Sequence, residues 1–316
     1  MHHTAFDQRN ELIGIATPRG FIIFDCTIKN VLYEAIFPAG GANCIALLSD
    51  SNLVAASGDD SRNGFLKSTI ILWECQESKI VRLLEVSDPV EYLYFRNDCL
   101  VAVYGSYINF YDCNNFTLIY KTANPIPHRF CVALTQSGSN NLVAFPSPSG
   151  DQLNISDYHD PKQILGSIPI QFSHINYFTF DSKCELLAIV IDEGRIIQLW
   201  SVMELKLLAK FKRGFWTAEV NGLAFDHLSN YFIMTTKRGT MHVFEIPAKK
   251  DMIDTSKTSR SSFSFELLKG TEFNYQFDNA GYIISGITDD GYFQQLRLDI
   301  NKKVIVPLSD SIKIEM

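Results

Sequence analysis

The chain has 316 residues, of which 46% are hydrophobic and 20% are charged, and its formal net charge is -7. These values are ordinary for a soluble globular protein with a sizeable core. The acidic balance argues against a general nucleic-acid-binding protein, which is usually basic, but it is compatible with a local basic patch.

The N-terminal sequence lacks the apolar stretch of a signal peptide, and no apolar run reaches the roughly 18 to 20 residues that a membrane span requires. Seven cysteines are scattered along the chain and form no C-x-x-C pair. We interpret them as reduced core residues, and no cluster of Cys and His predicts a metal site or a cofactor. We therefore expect a cytoplasmic protein that meets membranes only from their surface.

One strand–turn–strand pattern recurs along the chain. Each copy is an aliphatic strand, a turn with Gly or Asp, and an alternating strand that ends in aromatic or aliphatic residues. The copies lie at 11–26, 68–75, 99–113, 142–158, 186–202, 231–246 and 282–298. Their ends are about 38 to 52 residues apart, which is the spacing of four-stranded propeller blades.

Shorter apolar stretches flank these copies, for example 174–180 before the fifth copy and 206–211 after it. They predict an inner and an outer strand for every unit, and long helical periodicity is missing. The sequence thus predicts an all-β, WD40-like, seven-bladed β-propeller with four antiparallel strands per blade, in a single domain over 1–316. Because the chain starts near the beginning of one unit and ends near the end of another, we expect closure without a swapped strand.

A basic turn follows the fifth unit, where Lys212, Arg213 and Gly214 precede the inner strand of the sixth unit. The guanidinium of Arg213 is a planar fork of donors that suits phosphate oxygens, and Lys212 is a point charge. Such a turn on its own is usually a solvated basic loop, so its neighbours decide the interpretation.

The hairpin of the sixth unit supplies polar neighbours: Thr235, Thr236, Lys237, Arg238, Gly239, Thr240 and His242. Hydroxyl groups and a histidine can complete a set of donors around a phosphorylated sugar. Because side chains alternate along a strand, they cannot all share one face, and we predict that Thr236, Thr240 and His242 converge with Arg213. The alternative is that the threonines reflect strand propensity and that His242 is a core residue.

These residues resemble the PROPPIN family, the WIPI-type autophagy propellers, over nearly the whole chain. Other similar strings are TIILWE at 69–74, Asn124-Pro125 and LVAFPSPSG at 142–150. The family signature F/L-R-R-G reads here Phe211-Lys212-Arg213-Gly214. In the family its two arginines point to opposite sides and serve two sites for phosphatidylinositol 3-phosphate and 3,5-bisphosphate. The resemblance implies these headgroup-binding residues: Lys212, Arg213, Gly214, Thr235, Thr236, Arg238, Thr240 and His242.

The first of the two family sites departs from the pattern in this chain. Isoleucines Ile189 and Ile191 replace hydroxyl residues, Gln198 replaces the closing arginine, and Lys212 keeps charge without bidentate geometry. The upstream histidine of the family reads Gln171, with His174 offset by three. We predict that this site is impaired, with Arg195 as the residue that could compensate.

The resemblance also implies a membrane-contact loop in the sixth blade. This loop corresponds to a flexible, basic, Ser/Thr-rich segment at 247–262, with Lys249, Lys250, Met252 and Ile253 as its contact residues. By composition alone the segment reads as a solvated connector. Its cations could attract an anionic leaflet by about 1 kcal/mol each, and its single apolar pair predicts shallow insertion.

No paired catalytic groups or known catalytic motifs occur, so we do not expect an enzyme. The resemblance implies a peripheral membrane protein of autophagosomal, endosomal or vacuolar membranes. It would bind the two 3-phosphorylated lipids and recruit autophagy proteins, such as a lipid-transfer partner. The alternative is an interaction scaffold of the same fold with weakened or lost lipid binding, which Ile189, Ile191 and Gln198 favour.

Overall fold

The computed structural model describes residues 3–7, 11–48, 52–61, 63–96, 98–124, 132–134, 141–171, 174–247, 258–266, 273–277, 283–288, 291–299, 301–308 and 310–315. Within these ranges the chain forms seven β-sheets, one for each blade of a propeller, and no helices. Consequently none of the described residues lies in a helix that could cross a membrane.

The first four blades follow one another in chain order. Blade one contains β1 (Thr4–Phe6), β2 (Leu12–Thr17), β3 (Gly20–Asp25) and β4 (Asn30–Ile36). Blade two contains β5 (Ala42–Leu47), β6 (Leu53–Gly58), β7 (Thr69–Glu74) and β8 (Lys79–Glu85). Blade three contains β9 (Tyr92–Arg96), β10 (Cys99–Val103), β11 (Tyr107–Asp112) and β12 (Thr117–Ala123). Blade four contains β13 (Ala133–Leu134), β14 (Leu142–Pro146), β15 (Leu153–Asp157) and β16 (Asp160–Ile168).

Blades five and seven each carry an additional strand, whereas blade six has four. Blade five contains β17 (Ile175–Phe180), β18 (Leu186–Ile191), β19 (Ile196–Ser201) and β20 (Lys206–Lys212), with β24 (Thr258–Arg260) added beside β20. Blade six contains β21 (Val220–Phe225), β22 (Tyr231–Thr236), β23 (Thr240–Glu245) and β25 (Phe263–Glu266). Blade seven contains β26 (Phe273–Phe277), β27 (Ile283–Thr288), β28 (Tyr292–Asp299) and β29 (Val304–Pro307), and β30 (Ile312–Lys313) pairs with β28.

The recurring pattern in the sequence corresponds to the two middle strands of each blade, which confirms the predicted fold. These strands are almost continuous apolar runs because both of their faces pack against neighbouring blades. In β10, for example, all residues are buried, whereas β8 on the outer edge of its blade is mostly exposed. The core therefore lies between the blades as a series of clusters, and each blade is stabilised by its neighbours.

Blades one and seven close the ring through side chains. The rings of Phe24 and Phe293 lie 4.7 Å apart, and Gln295 Nε2 donates to the carbonyl of Cys26 at 3.0 Å. Each described blade is built on four strands that are close in the chain, and neither terminus completes the sheet of the other. The propeller thus closes without a swapped strand, as predicted, and the contact relies on apolar packing.

Six of the cysteines lie in described residues, and all six are free thiols. Cys131 lies outside the described residues. Burial raises the pKa of the Cys44 thiol to about 12, so this group is protonated at neutral pH.

A histidine joins blades three and four at their outer turns. His159 Nε2 lies 2.7 Å from Asp98 Oδ2, and His159 Nδ1 lies 3.0 Å from Asp157 Oδ1. Partial burial of the ring lowers the pKa of His159, but the hydrogen bonds and charges of the two carboxylates outweigh it and hold this pKa above its usual value. The folded chain therefore binds this proton more tightly than the unfolded chain does.

We expect this raised pKa to make the contact between the two blades depend on pH. The stabilisation by His159 is complete below the ordinary histidine pKa of about 6.5 and is lost as the pH rises through the higher folded-state value. The group is partly exposed, so the His159→Gln variant should cost only a few tenths to about 1 kcal/mol at pH 6. Urea unfolding of the parent chain and the variant at pH 6 and pH 8.5 measures this loss of stability. A loss that grows with pH would contradict the assignment.

Part of the predicted loop at 247–262 forms a strand. Residues Thr258–Arg260 form β24, which pairs in parallel with β20 on the outer edge of blade five, so that Lys212 lies opposite Arg260 in the register. The chain returns to blade six in β25. The loop residues that were predicted to contact the membrane lie outside the described residues, and their role stays a prediction. They are Lys249, Lys250, Met252 and Ile253.

Candidate functional site

Blade five ends in the basic motif, and its outer strand orients the motif's side chains. Phe211 is buried between blades five and six, where its ring lies 5.1 Å from Phe232 and 5.7 Å from Phe244. Lys212 is the last residue of β20 and pairs with Ile196. Because side chains alternate along a strand, Lys212 lies on the opposite face of blade five from Phe211.

Arg213 follows the strand and lies on the side of blade six. Its Nε donates to the carbonyl of Gly194 at 2.8 Å, and its Nη2 donates to the carbonyl of Trp216. Burial, and after it the nearby charge of Arg238, lowers the pKa of Arg213, although a guanidinium stays protonated at neutral pH. Two of the five N–H groups of an arginine are thereby used, which leaves three for an anion.

The hairpin of blade six places three of the predicted residues on one face. Thr236 pairs with Thr240 and Met234 pairs with His242, so these side chains project to the same side. Met234 and Phe232 on this side belong to the core cluster shared with blade five. The two threonine hydroxyls lie 3.1 Å apart.

His242 is buried in this face, with 9% of its surface exposed. Neither ring nitrogen has a hydrogen-bond partner among the described residues. Burial, and then the charge of Arg213, lowers the pKa of His242 to about 4, so the ring is neutral at pH 7 and the two residues are within electrostatic reach. A neutral imidazole offers one donor and one acceptor, which suits a phosphate or a sugar hydroxyl.

The remaining predicted residues are arranged differently. Thr235 is buried on the other face of β22, opposite Met241, and therefore does not join the group formed by Thr236, Thr240 and His242. Arg238 is exposed in the turn of the hairpin and lies near Arg213. Gly214 has no left-handed backbone angle and open space around its Cα, so the structure shows no conformational need for glycine there.

A cleft of about 530 Å³ opens between the turns of blades five and six. It is lined by Asn176, Glu193, Thr217, Ala218, Glu219, Lys237 and Arg238. Lys237 Nζ forms an ion pair with Glu219 Oε1 at 2.5 Å, so part of the basic charge in this cleft is neutralised locally. The exposed Arg238 is its remaining cation.

The face of blade five that looks toward blade four is mainly apolar. Ile189 and Gln198 form one paired row with Lys210, and Ile191 and Ile196 form the next row with Lys212. Ile189 is fully buried in the core. Gln198 Oε1 accepts a hydrogen bond from Trp200 Nε1 at 2.9 Å. Of the residues in these two rows, only Gln198, Lys210 and Lys212 carry groups that could bind a headgroup.

Three further positions bear on this site: Arg195, which was predicted to compensate, and Gln171 and His174, where the family has its upstream histidine. Arg195 forms an ion pair with Asp192 at 2.6 Å within its own turn. Gln171 and His174 are exposed in the segment just before β17. The impairment of the first headgroup site stays a prediction, and these contacts support it.

Two features of this region were not predicted from the sequence. The first is the role of Gly194, whose backbone has a φ of +80° and whose carbonyl holds Arg213. A Cβ on Gly194 would lie 2.2 Å from the carbonyl oxygen of Ala218, so the turn requires glycine. The second is the exposure of Phe215 and Trp216, whose adjacency in a connecting segment was a visible signal.

No group of three or more Cys, His, Asp or Glu that could hold a metal ion occurs in the described part of the chain.

No family model matches the chain. Among curated proteins it is 23% identical over 273 residues to Autophagy-related protein 18 of Yarrowia lipolytica, covering 78% of this chain and 67% of that protein. It is also 23% identical to Autophagy-related protein 18 of Dictyostelium discoideum, covering 82% of this chain and 66% of the relative. The chain thus spans about two thirds of the length of these relatives.

Solved structures share the fold at low identity. Kluyveromyces lactis Hsv2 superimposes with a TM-score of 0.79 at 14% identity, over 100% of both chains. A complex of KlAtg21 with the coiled-coil of AgAtg16 gives a TM-score of 0.83 at 14% identity, over 99% of both chains. At this identity the structures show a common seven-bladed architecture and leave the site to be argued from its own residues.

Proposed function

We propose that this chain, a propeller of the PROPPIN family, is a phosphoinositide effector that docks on membranes through the space between blades five and six. The observation that carries the proposal is the convergence of Thr236, Thr240 and His242 on the face of blade six beside Arg213. The lipids proposed are phosphatidylinositol 3-phosphate and 3,5-bisphosphate. The membranes proposed are autophagosomal, endosomal or vacuolar.

The chemistry of the site suits a phosphorylated sugar. Arg213 is fixed by the carbonyls of Gly194 and Trp216, so its remaining N–H groups are pre-oriented and lose little freedom on binding an anion. The hydroxyls of Thr236 and Thr240 share a hydrogen bond, so one of their two protons remains to donate to a headgroup, and the neutral imidazole of His242 supplies a second donor. The buried nitrogens of His242 without partners supply a further reason for a ligand at this face.

A flotation assay with purified protein tests the proposal. Vesicles of phosphatidylcholine and phosphatidylserine are compared with vesicles that also contain either 3-phosphorylated lipid. We expect enrichment only on the latter, and loss of at least about tenfold in the double variant Lys212→Thr, Arg213→Thr. A charge-assisted hydrogen bond contributes about 1.5–3 kcal/mol and each surface cation about 1 kcal/mol.

The matched control is the double variant Lys79→Thr, Lys162→Thr. Both lysines are exposed on outer strands of blades two and four, so this variant loses the same charge far from the site. We expect it to float like the parent chain. If both double variants lose binding equally, net charge and not the site governs the interaction, and the proposal fails.

A propeller scaffold with weakened lipid binding is the second candidate function. It is favoured by the apolar first site at Ile189 and Ile191, and by the use of the Arg213 guanidinium for two backbone carbonyls. A structural neighbour, KlAtg21, is described in complex with a coiled-coil of Atg16, so an autophagy protein is the kind of partner to test beside a lipid-transfer protein. A chain that ignores 3-phosphorylated vesicles yet binds a purified partner of this kind would be a scaffold.

A further inference from the structure

Two adjacent aromatic side chains project from the segment that links blades five and six. Phe215 is 71% exposed and Trp216 is 78% exposed. In the described part of the chain no other Phe, Tyr or Trp is exposed to a comparable degree. Exposed aromatic pairs of this size mark contact surfaces, because leaving them in water is unfavourable.

The segment that carries these rings is held by defined contacts. Arg213 Nη2 donates to the carbonyl of Trp216, and Lys212 Nζ lies 4.2 Å from the centre of the Phe215 ring. Farther along, the N–H of Ala218 donates to the carbonyl of Glu193 at 3.0 Å. The two rings are thus presented on an anchored loop, which lowers the entropic cost of using them in binding.

The charges around the rings favour a negatively charged partner. Lys212 lies over the Phe215 ring, Arg213 binds the carbonyl of Trp216, and Arg238 lies near Arg213. The neighbouring cleft holds Glu193 and Glu219, of which Glu219 pairs with Lys237. Aromatic rings flanked by cations are typical of the interface between water and an anionic bilayer, where the rings lie at the level of the headgroups.

The position of the rings points to a membrane in preference to a protein. They follow Arg213 after one glycine, and Arg213 lies within electrostatic reach of His242 in the group formed by Thr236, Thr240 and His242. A lipid whose headgroup lies there has its acyl chains in a bilayer, so the surface next to the headgroup must face that bilayer.

We propose that Phe215 and Trp216 form a membrane-insertion element that enters the interfacial layer of an anionic bilayer. The proposal deepens the phosphoinositide function and rests on it for the orientation of the chain on the membrane. It assigns this role to the connection between blades five and six, independently of the segment at 247–262.

The test uses the single variant Trp216→Ser, because it leaves the cation–π contact of Lys212 with Phe215 and the backbone carbonyl that accepts from Arg213 in place. We expect its partition onto vesicles of phosphatidylcholine, phosphatidylserine and phosphatidylinositol 3-phosphate to fall about tenfold. The variant Trp216→Phe, which keeps an aromatic ring, should retain most of the binding of the parent chain. The control Met203→Ser removes a side chain that is 89% exposed at the other end of blade five, and it should bind like the parent chain.

Tryptophan fluorescence reports insertion directly. The difference between the spectra of the parent chain and Trp216→Phe isolates Trp216 from Trp73 and Trp200. On vesicles we expect its emission to shift to the blue and to be quenched by lipids brominated near the headgroup. Unchanged emission on vesicles that sediment with the protein would overturn the proposal, as would undiminished binding of Trp216→Ser.

Soluble headgroup separates this proposal from the phosphoinositide function. Titration with inositol 1,3-bisphosphate should give equal affinities for the parent chain and Trp216→Ser. The double variant Lys212→Thr, Arg213→Thr should lose binding of this soluble headgroup. If Trp216→Ser also loses the soluble headgroup, Trp216 acts through that site and the insertion proposal is wrong. If brominated vesicles without phosphoinositide quench Trp216 as strongly as those that contain it, and the soluble headgroup does not bind, the insertion proposal stands. The phosphoinositide function then fails.

Discussion

Replacing Phe211 by alanine is expected to lower the free energy of unfolding by about 3–5 kcal/mol, the range for deleting a fully buried phenylalanine side chain. Phe211 is 1% exposed and lies edge-on to both Phe232 and Phe244, which stack on each other with centroids 4.7 Å apart. Loss of its ring leaves a cavity between blades five and six. Because Lys212 and Arg213 follow directly, we also expect weaker binding to phosphoinositide vesicles.

Urea unfolding followed by circular dichroism measures this loss. The matched control is Phe215→Ala, which deletes the same side chain four residues away at a site that is mostly exposed. It should change stability by no more than about 0.5–1 kcal/mol, the contribution of a surface contact and its cation–π interaction. Equal losses in the two variants would show that Phe211 does not hold the two blades together.

Acid is expected to destabilise the chain through His242. Its folded-state pKa of about 4 lies below the ordinary value of about 6.5. At a pH between these two values the unfolded chain is protonated at this histidine and the folded chain is not. The contribution of this group to stability is therefore complete above pH 6.5 and is lost as the pH falls from 6.5 to 4. Over that range the loss is on the order of 3 kcal/mol.

The variant His242→Leu isolates this effect. At pH 7 we expect it to be at least as stable as the parent chain, because it removes two buried nitrogens that have no partners among the described residues. Between pH 7 and pH 4.5 it should lose less stability than the parent chain in urea unfolding. His159→Gln is the matched control, since that histidine has a raised pKa and should show the opposite dependence. Parallel stability curves for the parent chain and His242→Leu would contradict the assignment.

Local sequence patterns predicted the propeller, and they also predicted which strand side chains of the candidate site share a face. Strand alternation and turn residues act over a few neighbours, so seven repeats of the pattern predicted seven blades, and all seven were found. The same period of two predicted that Thr236, Thr240 and His242 share a face, and the register of β22 and β23 places them so. The departures from the family pattern at Ile189 and Gln198 were likewise visible from the sequence alone.

The contacts of each charged side chain, in contrast, depend on how the blades pack. Arg213 binds the carbonyl of Gly194, which lies in an earlier turn, and Arg195 is occupied by Asp192. The strand β24 leaves blade six to extend blade five, which no local pattern indicates. Similarly, Phe211 and Phe215 are the same residue type in one short segment, yet one is buried and the other exposed. Such outcomes depend on which distant surfaces meet when the blades pack, because burial and electrostatics are set by neighbours in space and not by neighbours in the chain.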